Sequence, residues 1–190
     1  MTTQIRDSIR YQGRYFCIEE VTGVGMFTPA SHGLKPVPLA TACHRGFVCS
    51  FSLTDGALRL EALLLGIDPL SRLRIKYGKA TPLLGRRPQL DERFGNAALY
   101  PSLDWPVPLT GGLRVGAGFI HRSLLDPDFD PLWPYEEAHE LCFEDGALTD
   151  AHDRTDALAR LRQAHPLPTR RALGWEAHRA LLSQVFPLTT

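Results

Sequence analysis

The sequence predicts a single α+β domain over residues 1–190, mainly antiparallel β built from hairpins, with one or two helices at the C-terminus. Three observations carry this. Alternating apolar and small residues at 46–53 and 57–63 flank Thr54-Asp55-Gly56, and a second alternating run at 137–143 meets Asp145-Gly146. Period-two runs joined by Asp-Gly are the signature of strands in a tight hairpin. From residue 153 onward the period changes to that of helices. The chain therefore divides into a β-rich core, 1–152, and a helical segment, 153–190. A length of 190 residues fits one domain, and 44% apolar with 22% charged residues is the composition of a chain that folds around a core.

At the start, residues 8–11 and 15–18 are short β-prone runs around Gln12-Gly13-Arg14, a first hairpin. Residues 21–38 hold three glycines and three prolines, which rules out a long regular element and predicts a loop with a turn at Ser31-His32-Gly33. A loop of that length is more often functional than a short connection. In the hairpin that follows, the period of two puts Phe47, Cys49, Phe51 and Leu53 on one face. Residues 68–89 turn basic, with Arg72, Arg74, Lys76, Lys79, Arg86 and Arg87 against Asp68 alone. They read as a solvated loop or a charged edge strand, and no nucleic-acid-binding motif accompanies them, so nucleic acid is not expected as a partner.

The glycines at 111, 112, 116 and 118 do not match the dinucleotide fingerprint, because His121 stands where the third glycine belongs. They fit a closely packed strand. Pro131 and Pro134 break any helix through the next stretch, so Phe129, Trp133 and Tyr135 belong to a rigid turn that packs partly on the core. The strand after it places His139, Leu141 and Phe143 on one face and Glu140, Cys142 and Glu144 on the other. Residues 143–148 echo residues 53–58, each with Asp-Gly followed by Ala-Leu. Residues 155–164 have helical spacing with Asp153 or Thr155 as cap, and Pro166 and Pro168 end them. A second helix is expected over 170–185, where Leu173, Ala177, Leu181 and Val185 recur every four residues; it could dock on the sheet or supply a contact between copies of the chain.

The opening Asp7-x-Ile9-x-Tyr11-x-Gly13, the segment Thr41-Ala42-Cys43-x-Arg45-Gly46, Val107-Pro108-x-Thr110-Gly111-Gly112 and the hairpin His139-Glu140-Leu141-x-Phe143-Glu144-Asp145-Gly146 resemble, over residues 5–150, a group of small bacterial proteins with no assigned activity. The resemblance implies a bacterial source and carries no catalytic residue with it. No basic and then apolar leader opens the sequence, and no apolar run reaches the ~20 residues that span a bilayer. The cytoplasm is the expected compartment, with no membrane partner. Four scattered cysteines without a C-x-x-C pair read as free, buried thiols, and no histidine stands at metal-ligand spacing, so neither a metal nor another cofactor is expected.

Charge is the most informative feature. The chain holds 21 acidic and 21 basic residues, yet eleven of the acids and only one cation, Arg154, fall within 126–156. Two function classes fit. The first is a non-enzymatic protein-binding module whose acidic, aromatic-lined face (Asp128, Asp130, Trp133, Tyr135, Glu136, Glu137) meets a basic protein, as an immunity protein meets a nuclease-like toxin. Opposite charge speeds encounter and aromatics anchor the contact. The second is a small Cys/His-dependent hydrolase or transferase with a pocket under the 21–38 loop, using Cys43 as nucleophile with His44, Arg45 and His139. The first is the expectation, with no residue assigned a catalytic role.

Overall fold

The computed structural model describes residues 4–120, 132–164 and 175–187. Within them the chain is a sheet-rich α+β fold with helices gathered at the C-terminal end. The hairpins at Gly13, Gly56 and Gly146 form as the sequence predicts. The first joins β1 (Asp7–Tyr11) to β2 (Arg14–Val21). The second joins β3 (Phe47–Thr54) to β4 (Ala57–Gly66), and the third joins β9 (Tyr135–Glu144) to β10 (Ala147–Asp153). Between them lie the short β5 (Gln89–Leu90), β6 (Ala97–Tyr100) and β7 (Trp105–Pro106), and the long β8 (Gly111–Phe119).

The strands pair in the order β10-β9-β8-β2-β1-β3-β4-β6-β5, and β10 also pairs with β4. Seven strands thus form a circuit that closes on itself. The closing seam is made by the two Asp-Gly turns, whose residues echo each other in sequence. Leu58 N–H donates to the Gly146 carbonyl at 2.8 Å, and Leu148 N–H donates to the Gly56 carbonyl at 2.7 Å. Asp55, Gly56, Asp145 and Gly146 all take positive φ, as a tight hairpin of this kind requires. The echo therefore has a structural meaning: each turn caps the other. One pairing departs from the antiparallel expectation, since β1 and β3 run parallel. The 22–46 connection between β2 and β3 is long enough to return the chain for it.

Inside the circuit lies the main core, with Ile9, Phe16, Phe51, Leu60, Leu113 and Leu141 among its members. A second cluster forms outside it, where α2 (Thr155–Ala164) and α3 (Trp175–Val185) cover one face of the sheet through Leu158, Leu161, Val185 and Phe186. Asp153 Oδ1 accepts the Thr155 N–H at 2.9 Å, the capping role expected of it. The expected start of the last helix, 170–174, lies outside the described residues.

The 21–38 segment is not all loop. Thr22 and Val24 continue the pairing of β2 with the start of β8, and the backbones approach so closely that a Cβ at Gly23 would stand 2.0 Å from the Thr110 carbonyl oxygen. Glycine is required there by contact, and only afterwards does the chain turn, through a 3-10 turn at Pro29–His32 ended by Gly33. The larger correction is at 68–89. The expected loop or edge strand is a two-turn helix, α1 (Pro69–Lys76), followed by the two-residue β5. Asp68 Oδ1 accepts the N–H groups of Leu70 (2.8 Å) and Ser71 (2.9 Å), and Pro69 sits at the first helical position. Asp-Pro is a helix-start signal, outweighed in the sequence reading by the density of cations.

Candidate functional site

The acidic stretch folds into β9, β10 and the first turn of α2, and the period of two sorts its side chains. On β9, Leu141 and Phe143 point into the main core, while Ala138 lies in the outer cluster beneath the helices. Glu137 and His139 share the inward parity of Leu141. His139 is buried edge-on against Tyr11 and Phe16, with ring centroids 5.6 and 5.3 Å away. Its Nε2 lies 2.8 Å from Glu137 Oε1, and Arg14 Nη1 donates to Glu137 Oε2 at 2.5 Å. A carboxylate only accepts, so this contact places a ring proton on Nε2.

Facing outward, Glu140 is nonetheless shielded from solvent. Its side chain is buried, Arg154 Nη2 donates to Oε2 at 2.7 Å, and Arg114 Nε stands 3.7 Å from Oε1. Arg114 also pairs with Glu20 at 2.6 Å, lies over the Phe186 ring and donates to the Phe186 carbonyl at 3.2 Å. This network ties β2, β8, β9 and the end of α3 together. Burying a carboxylate is tolerable only with such partners. The cross-strand neighbours Arg114 and Glu140 are far apart in sequence, so nothing short of the register could have joined them.

Trp133 and Tyr135, the expected aromatic anchors, are each 2% exposed and belong to the chain's own outer cluster. The Tyr135 hydroxyl donates to Glu19 Oε1 at 2.6 Å, and Arg162 Nη1 donates to the Trp133 and Tyr135 carbonyls. Burial, with the Glu19 charge beside it, pushes the Tyr135 phenol far above its ordinary range. Gly116 makes room for that ring, since a Cβ there would stand 2.5 Å from it. Exposed apolar surface is found instead at Phe119, paired across the strands with Tyr135, and at the next residue, Ile120. Glu136 is exposed beside them, its side chain against Gly118. Asp128 and Asp130 lie outside the described residues.

The remaining carboxylates of the stretch stay on the surface. Glu136, Glu144, Asp145, Asp150, Asp153 and Asp156 are all exposed. Among the described residues only Asp150 and Asp153 are engaged, Asp150 with His152 at 3.1 Å and Asp153 in capping α2. Beyond Leu148, β10 pairs with β9 alone among the described residues, which leaves this acidic strand at a sheet edge.

The residues of the enzyme alternative are not drawn into one site. Cys43 is buried with Leu39 and Ala97, and its Sγ donates to the Phe47 carbonyl at 3.5 Å, the same oxygen that accepts Arg45 Nε at 2.8 Å. Arg45 also forks onto the carboxylate of Asp7 at 2.9 and 2.6 Å. His44 is exposed. Arg45 thus meets the first residue of β1, whereas His139 packs on Tyr11, the last. Four residue steps of strand, roughly 13 Å, separate those two contacts. The loop above carries Phe27, buried, with His32 stacked on it at 4.9 Å.

No family model, no curated protein and no solved structure matches the chain.

Proposed function

We propose that the chain is a non-enzymatic protein-binding module, of the immunity type, that receives a basic partner on the acidic face of β9, β10 and the start of α2. The observation that carries this reading is the division of labour among its carboxylates. Glu137 and Glu140 are consumed by internal ion pairs, whereas Glu136, Glu144, Asp145 and Asp156 form none among the described residues and remain exposed on adjoining elements. Uncompensated like charge on one face has no stabilising role in the fold, and it is what steers an oppositely charged protein. Phe119 and Ile120, exposed beside Glu136, supply apolar surface where Trp133 and Tyr135 do not.

Charge reversal separates this face from the fold. Glu136→Lys, Glu144→Lys and Asp150→Lys together are expected to slow partner association about tenfold or more at low salt and to flatten its salt dependence, with Tm lowered by no more than the exposed Asp150–His152 pair is worth. Glu137→Lys is expected instead to lower stability by about 1–2 kcal/mol, because it strands Arg14 and His139. Unchanged association kinetics in the triple variant would count against the reading.

A further inference from the structure

Helix α1 is inside out. Its one inward contact is Ile75, partly buried against the main core. On a helical wheel of about 100° per residue, Leu70, Leu73 and Tyr77 fall together on the side opposite Ile75. They are among the most exposed large apolar groups of the described chain, at 57%, 50% and 67%. Arg74 borders this stripe on one side and Lys76 on the other, with Arg72 exposed behind Lys76. The chain then folds back, and Arg87 Nη1 donates to the Gly78 carbonyl at 3.3 Å, bringing the Arg86-Arg87 pair to the C-terminal end of the helix.

The cations here differ from those of the sheet circuit. Arg10, Arg14, Arg45, Arg59, Arg114 and Arg154 each hold a carboxylate. Arg72, Arg74, Lys76, Lys79, Arg86 and Arg87 hold none among the described residues, and residues 69–90 contain no acid. An outward apolar stripe flanked on both sides by unpaired cations is the pattern of a helix that lies in a membrane interface, its leucines among the acyl chains and its cations among the headgroups.

We propose that α1 and the loop after it dock the protein on an anionic phospholipid surface. Charge complementarity selects an anionic surface, and the chemistry of the stripe selects lipid. Leu70 and Leu73 offer nothing to stack on a base, and Tyr77 is the one aromatic of residues 69–90, so a nucleic acid would leave both leucines in water. Spanning length bears only on crossing: no described helix is long and apolar enough to cross a membrane, but a surface-lying helix does not need to cross. This site is separate from the acidic face in sequence and along β4, which β10 meets at Ala57 and β6, the neighbour of α1, meets at Leu63–Gly66.

Co-sedimentation with vesicles tests it. The full chain is expected to pellet with vesicles of phosphatidylglycerol and phosphatidylcholine and to stay in solution with phosphatidylcholine alone. Leu70→Ser with Leu73→Ser, and separately Arg72→Glu with Arg74→Glu, are each expected to lower partitioning about tenfold, with Tm and far-UV circular dichroism unchanged. These side chains are exposed, so the variants fold. Failure to pellet with the anionic vesicles would overturn the proposal, as would binding that survives both double variants. Tighter retention by a single-stranded oligonucleotide, or by an acidic peptide, than by the vesicles would also overturn it.

Discussion

Glu140 shows how one residue type can serve opposite ends within a few positions of a strand. Its carboxylate is enclosed between Arg154 and Arg114, while Glu144, at the end of the same strand, is exposed with no ion pair among the described residues. Replacing Glu140 by Gln leaves two cations facing a neutral amide, and a loss of about 3 kcal/mol in urea-induced unfolding is expected. A loss near zero would mean that the network is not closed as described. The two hairpin glycines give a second comparison. Gly56 and Gly146 share a positive φ, but a Cβ at Gly56 meets nothing within 4 Å, whereas one at Gly146 would stand 2.3 Å from the Val107 carbonyl oxygen. Gly56→Ala is expected to cost about 1 kcal/mol for its backbone alone. Gly146→Ala should cost at least about 2 kcal/mol more, because the closing seam has to shift. Neither difference could be read from sequence, in which the two turns are near copies and Glu140 is one acid among eleven.

At the scale of elements, what was legible followed from short-range pattern. The hairpins at Gly13, Gly56 and Gly146, the inward face of β9 and the cap of α2 all rest on neighbours within a few residues. What was missed depends on contacts across the fold. Trp133 and Tyr135 read as anchors of a partner-binding face, in a turn only partly packed on the core, yet α2 and α3, distant in sequence, bury them. The start of α1 was written in Asp68-Pro69 but hidden by its cations. Its cap also has a pH signature. Hydrogen bonds from the Ser71 hydroxyl and N–H hold the Asp68 carboxyl below its ordinary value, and those from Thr155, with His139 nearby, do the same for Asp153. A carboxylate depressed in the folded state stabilises above its unfolded value of about 3.9, and that contribution is lost as pH falls through the lowered folded value. Tm should therefore decline on acidification below about pH 4, and Asp68→Asn with Asp153→Asn should make the decline shallower. An identical decline in the double variant would place the acid sensitivity elsewhere.

Taken whole, the molecule is neutral by sum and divided by place. The acidic β10 meets β4 at Ala57, whereas β6, beside which the basic α1 packs, meets the same strand at Leu63–Gly66, so the two charged regions are separated along β4. The polarity evident in the sequence thus survives folding, though its carriers change: Glu136 and the β10 edge replace Trp133 and Tyr135, and part of the acidity is spent on the core. The last helix, expected to dock on the sheet or to join two copies, docks through Val185 and Phe186. The most direct test is capture from a lysate of the source cells by the tagged chain and by the Glu136→Lys, Glu144→Lys, Asp150→Lys variant, at low and at high salt, with bound proteins quantified by mass. A basic protein held by the native chain at low salt, released at high salt and lost from the variant is the predicted result. Identical capture by the two chains, or retention that salt does not weaken, would contradict it.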